Sequence, residues 1–261
     1  MKVDFRSAVS NSWKFATNAK RFVLMTASLL VLISIILVSL LSLGKGITGD
    51  VAQIFQYGIG LVIVIIIGAL YFVFIDGTFV HNYSSKGTLS KSAGYIKSRY
   101  LTLLLAMILT GIIGSAFEFF AKLFPSIAGA VISFIFSITL AIIFYFVKQE
   151  VIIGKKGVIN SLEGSYNIFR KNVSAVILTL IVSAIISLLI IFVSAIPLAI
   201  AAIGPILSVM QGASIAAALS SVNIVLLSIG GIILIAGFSL ASLVSIGINT
   251  DIYAQLRKKK K

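Results

Sequence analysis

Charge is almost absent from five long stretches of this chain, and that absence constrains its fold more than any motif does. The uncharged runs cover residues 22–44, 51–75, 100–117, 123–147 and 172–250. About 20 apolar residues in a helix cross the ~30 Å hydrocarbon core of a bilayer. Each of the first four runs holds one such crossing, and the fifth is long enough for two. The pattern predicts an all-α polytopic membrane protein forming a single transmembrane domain over 1–261. Its six spans fall near 22–43, 55–75, 100–121, 124–147, 173–203 and 222–250.

Composition and charge placement narrow the function classes. The chain is 59% hydrophobic and 11% charged, far from the balance of a soluble domain. A net charge of +14 raises nucleic acid as a partner, but the basic residues fall in alternate segments. Nineteen of the 21 Lys and Arg lie before the first span, in the linkers after the second and fourth, and at the C-terminus. Only Lys45 and Lys122 fall on the other side. This is the positive-inside pattern, so both termini are expected in the cytoplasm, in a multi-pass protein of the cell membrane. The surplus charge then meets anionic lipid headgroups, at about 1 kcal/mol per residue, and no nucleic acid is needed. The first span is too long for a secretory h-region of about 7–15 residues and reads as a retained signal-anchor.

Each pair of spans is preceded by a polar segment with helical periodicity. Phe5, Val9, Trp13 and Ala16 share one stripe; Ile159, Leu162, Tyr166, Phe169 and Val173 share another; Leu89, Ala93, Ile96 and Tyr100 form a weaker middle copy. Basic amphipathic helices with aromatic residues suit the headgroup region. Ser12-Trp13, Gly94-Tyr95 and Ser165-Tyr166 occupy similar places, and Lys86-Gly87 and Lys156-Gly157 open the second and third segments. The reading is an internal threefold repeat, about 1–75, 76–147 and 148–261, each unit a cytoplasmic surface helix followed by a transmembrane hairpin. Between Lys171 and Asp251 lie 79 uncharged residues, more than two spans require. Either the last two helices are long or tilted, or a surface or re-entrant helix lies near 213–219, which is the preferred reading. Pro197 is expected to kink or stop the fifth span, and Pro205 is a further breaker.

Candidates for chemistry are few. Gly129, Ser133, Ser137 and Ala141 form one stripe of small residues, and Gly237, Ala241, Ser245 and Asn249 another; both are expected to be helix-packing faces. Asp76, Glu150 and Asp251 sit at the cytoplasmic ends of the second, fourth and sixth spans, where they are expected to fasten the rim to neighbouring Lys or Arg. Glu118 and Lys122 have the spacing of a helical ion pair. His81 is the single histidine and cysteine is absent, so no metal centre, cofactor site or catalytic constellation is expected. The isoleucine and lysine content, without cysteine, is compatible with a thermophilic archaeal source.

One segment carries a family resemblance: Phe146-Val147-Lys148-Gln149-Glu150-Val151-Ile152-Ile153-Gly154-Lys155-Lys156-Gly157-Val158-Ile159-Asn160-Ser161-Leu162-Glu163-Gly164-Ser165-Tyr166, followed by a basic, Asn-containing span start. Over roughly 144–180 it resembles uncharacterised archaeal and bacterial six-span families related to the membrane domain of glycerophosphoryl diester phosphodiesterases. The resemblance implies the six-span architecture. No phosphodiesterase domain accompanies it here, so that activity does not transfer. In this segment Val151 to Ile153 is expected to be a short extended piece that brings Glu150 near Ser165. The reading favoured is a non-enzymatic scaffold, assembly or envelope-maintenance protein with a membrane or cytoplasmic partner. The alternative is a transporter or channel for a small or amphipathic solute, with a polar path near Ser245, Asn249 or Asn223.

Overall fold

The computed structural model describes residues 3–46, 51–212, 214, 217 and 223–258, with the backbone alone for 38–46, 51–57 and 126. The preferred surface helix at 213–219 lies largely outside the described residues, as do the last three lysines. Every regular element among those described is helical. The order is α1 (Phe5–Ala16), α2 (Ala19–Gly46), α3 (Val51–Ser85), α4 (Leu89–Ala121), α5 (Ser126–Ile143), α6 (Val147–Ile152), α7 (Val158–Lys171), α8 (Val173–Met210) and α9 (Ile224–Lys258). Six of the segments are long and apolar enough to cross a membrane. This is the architecture of a multi-pass membrane protein.

Helix ends depart from span ends in a consistent way. α3 runs through Asp76 to Ser85 and α9 through Asp251 to Lys258, because a charge marks the edge of the hydrocarbon layer and does not terminate a helix. The middle surface segment is not a separate helix either; it is the first part of α4. Nothing between Tyr95 and Tyr100 breaks the ladder, whereas Thr17-Asn18 and Asn172 interrupt the chain after α1 and α7. Val151 and Ile152, expected in an extended piece, belong to the short helix α6. Both are enclosed, and a helix satisfies their buried amides internally.

Pro197 and Pro205 both lie inside α8, which continues through them. Each ring removes one amide donor, yet unwinding in lipid would leave many more backbone groups without partners. α8 is therefore 38 residues long, about 57 Å at 1.5 Å per residue. The surplus in the last uncharged run is taken up at least partly by helix length.

The long helices pack in sequence, α2 on α3, α4 on α5 and α8 on α9, while α3 touches α4 and α9 touches α1, α2 and α3. α9 is the element that joins the first three helices to α8. Its glycines make this possible. A Cβ on Gly230 would sit 2.9 Å from the Leu198 backbone, and one on Gly247 would sit 2.6 Å from Ser12. Small residues permit such close approach where no hydrophobic force draws helices together.

Burial is uneven along the bundle. Phe79, Phe146, Ile152, Ile248, Ile252 and Tyr253 are enclosed at the end where the basic linkers gather. There Phe15 meets Phe79 and Tyr83 edge-on, and Phe146 lies 5.7 Å from Tyr253 between ring centres. Apolar residues such as Ile66, Ile112, Phe134 and Leu188 are exposed along the spans, as they should be with lipid as solvent. The compact core thus sits at the basic end, built by α1, α6, α7 and the adjoining ends of α3, α4 and α9.

Candidate functional site: the basic end of the bundle

Three helix starts build this end on a common scheme. Asp4 caps α1 by accepting the Ser7 amide at 2.9 Å, and Thr88 caps α4 by accepting the Lys91 amide at 3.3 Å. Gly157 occupies the cap of α7 without a side-chain bond. Counted from these caps, the fourth and eighth residues are enclosed in all three: Ala8 and Ser12, Ser92 and Ile96, Ser161 and Ser165. Lys86 and Lys155 each stand two residues before a cap, and both have left-handed backbones, φ 53° and 57°. A lysine gains nothing from that conformation, so the surrounding turn imposes it.

The buried faces differ from the stripes expected from periodicity. On α1 the enclosed residues are Ala8, Ser12, Phe15 and Ala16; on α7 they are Ser161, Leu162, Gly164, Ser165 and Ile168. Trp13, Ile159 and Tyr166 are exposed. Trp13 thus points outward from α1 and Ile159 and Tyr166 from α7, while small residues such as Ala8, Ser12, Ser161 and Ser165 face the bundle beside Phe15, Leu162 and Ile168.

Asp76, Glu150 and Asp251, the acids expected at the rim, are all engaged. Asp76 pairs with Lys148, joining α3 to α6. Glu150 pairs with Lys156 at 2.8 Å. Asp251 pairs with no cation among the described residues; it accepts from Asn11 and Tyr83, each at 3.1 Å, and from Gln255 at 3.3 Å. Glu118 and Lys122 do not form a side-chain ion pair; those among the described residues are Lys148–Asp76 and Lys156–Glu150. Glu150 lies against Gly164, one residue short of Ser165. The Ser165 hydroxyl instead accepts the Phe146 amide at 3.1 Å and donates to the Ile143 carbonyl at 2.8 Å. It thereby bridges the break between α5 and α6.

Outside the spans, Asp4 is held below the ordinary carboxyl range, chiefly by the Ser7 amide it accepts. Its own amide donates to Gln255 Oε1 at 2.9 Å. Gln255 Nε2 returns a bond to the Asp4 carbonyl at 3.3 Å. The start of α1 is thereby tied to the end of α9.

Two polar cavities open here. One of about 640 Å³ is lined by residues that include Lys14, Arg21, Lys86, Lys258, Asn82 and Asp251. The other, about 460 Å³, is lined by Glu150, Lys156, Lys171 and Arg257 among others. Asn82 is buried and holds Arg21, accepting from its Nε at 2.8 Å while donating to the Gly87 carbonyl at 2.8 Å. The Arg21 guanidinium also lies 4.4 Å over the centre of the Phe15 ring. No motif marks Asn82 in the sequence; its only signal there is a polar residue next to the lone histidine. His81 itself stacks on Tyr95 at 4.1 Å and meets Ser92 Oγ at 3.1 Å. Among the described residues no three His, Cys, Asp or Glu side chains converge.

The two stripes of small residues have different surroundings. On α9, Gly237 lies against Ser194 and Ala241 is enclosed. Ser245 exchanges a bond with Ser183 at 2.8 Å, and Asn249 accepts from Tyr145 at 2.7 Å. On α5, Gly129 packs only on the 121–124 turn, Ser133 is half-buried, and Ser137 and Ala141 are exposed. Searches with the whole chain found no matching family model, curated protein or solved structure.

Proposed function

We propose that this chain is a non-enzymatic scaffold or assembly protein of the cell membrane, with its basic end and both termini in the cytoplasm. In this reading it consists of three transmembrane hairpins, each introduced by a surface helix or helix start, related by internal repetition. The basic end meets anionic headgroups and a membrane or cytoplasmic partner. The observation that carries the reading is the concentration of core, capped helix starts and cationic cavities at one end of the bundle. A protein that presents one organised face to a partner needs its rigidity there. The shared enclosed positions after the three caps support the repeat.

A solute pathway would need free polar groups at span depth. Ser245 and Asn249 instead bond to Ser183 and Tyr145, which favours packing over conduction.

The absence of cysteine makes the topology directly testable. Single cysteines placed at Ser10, Lys91 and Lys258 should react with a membrane-impermeant maleimide from the cytoplasmic side, and one at Lys122 from the opposite side. Labelling of S10C and K258C from opposite faces would overturn the topology. The scaffold role predicts a partner that co-purifies in mild detergent and no solute flux in proteoliposomes.

A further inference from the structure

We infer that the cavity between α1, the α3–α4 turn and the end of α9 is a binding site for a phosphate group. Its walls carry four cations, Lys14, Arg21, Lys86 and Lys258, against one carboxylate, Asp251. That carboxylate is engaged by Asn11, Tyr83 and Gln255, so its lone pairs are directed into the protein and the cavity is left cationic.

The site is built and not merely basic. Arg21 is fixed in two directions: Nε on the buried Asn82 and the guanidinium face on Phe15. This leaves the two terminal nitrogens of its fork, which suit paired phosphate oxygens. Lys86 reaches the same cavity from the turn before α4, in the left-handed conformation that its turn imposes. Asn82 supports both: it orients Arg21, and it holds the Lys86–Gly87 turn through the Gly87 carbonyl.

The ligand chemistry follows from charge and position. Three net positive charges in about 640 Å³ exceed what a carboxylate needs and match a phosphate monoester or diester. Arg21 stands directly before the first uncharged run, so the cavity opens at the edge of the hydrocarbon layer, where lipid phosphates lie. Basic pockets at that depth on the cytoplasmic side bind anionic headgroups. A lipid headgroup and a free phosphate share this chemistry. The headgroup assignment rests on the proposed function, whereas phosphate binding itself does not.

The test uses the full chain in detergent, titrated separately with inorganic phosphate, with an anionic phospholipid in mixed micelles, and with phosphatidylcholine as the zwitterionic comparison. Binding is read by calorimetry. Arg21→Gln and Lys86→Gln should each weaken binding roughly tenfold, the loss expected for a charge-assisted hydrogen bond. Lys97→Gln, which removes an exposed charge away from the cavity, should change it less than about twofold. Saturable binding of the anionic lipid alone identifies a headgroup site; saturable binding of inorganic phosphate identifies a soluble ligand. Equal weakening by all three variants, or no saturable binding of either probe, overturns the site. Lys86→Gln keeps the test valid if Arg21→Gln fails to fold. If the labelling places this end outside the cytoplasm while phosphate still binds, the topology falls and the site stands.

Discussion

Gly230 and Gly231 are neighbours in α9 with opposite surroundings, and they separate packing from propensity. A methyl on Gly230 would press on the Leu198 backbone, while one on Gly231 would meet nothing within 4 Å. Gly230→Ala should therefore destabilise the fold by about 1–3 kcal/mol, the range for overpacking. Gly231→Ala should be neutral or stabilising by up to about 1 kcal/mol, since a helical glycine is entropically unfavourable. Thermal unfolding in detergent measures both. Asp4 gives a pH prediction of definite sign. Its carboxyl is held below its ordinary 3.8 by the Ser7 amide, so folding favours the ionised form. The stabilisation is present above that ordinary value and is lost as the pH falls through the lowered one. The unfolding midpoint of Asp4→Asn should lack this component of the acid decline. Neither effect is legible in the sequence. The glycine pair differs only in which neighbour it faces, and Asp4 differs from any other N-terminal acid only in being a cap.

At the scale of elements, the junction of α5 and α6 depends on one hydroxyl. Ser165→Ala removes the partners of the Phe146 amide and the Ile143 carbonyl together. Leaving such buried groups unpaired costs about 1–3 kcal/mol. Ser161→Ala, whose hydroxyl donates only to the Val158 carbonyl, should cost less. Differential scanning of the two variants checks the order. The six long helices are legible because 20 uncharged residues have few other solutions in a chain this apolar. The elements at the basic end are less legible. Periodicity finds the helices α1 and α7 but not which residues meet the bundle: Ser12, Ser161 and Ser165 are enclosed while Trp13, Ile159 and Tyr166 are exposed. The break between α5 and α6 leaves no signal at all, since Phe144 to Phe146 are as apolar as their neighbours. Among the site residues, charge spacing singles out Asp76, Glu150 and Asp251. The partners that define their surroundings, Lys148, Lys156, Asn11 and Tyr83, come from tertiary contact.

For the molecule as a whole, α9 joins parts that are remote in sequence. It meets α8 from Gly230 to Ser245 and α1 from Gly247 to Gln255, and α2 and α3 pack beside it. Deleting α1 should lower the unfolding temperature far more than its length suggests. The deletion exposes Gly247 and removes the Asp4–Gln255 exchange, with a loss of several kcal/mol on the scale of one buried apolar residue per turn. Thermal unfolding of the shortened chain, compared with Gln255→Ala alone, measures how much of the effect belongs to the hydrogen bonds. A marginal change on deletion would show that α1 only rests on the bundle. The docking of α1 against α9 has a further consequence for biogenesis. α1 precedes the α9 residues on which it docks by more than 200 positions, so it stays undocked until α9 is synthesised. Truncated translation products that stop before Gly247 therefore leave α1 without the surface on which it docks.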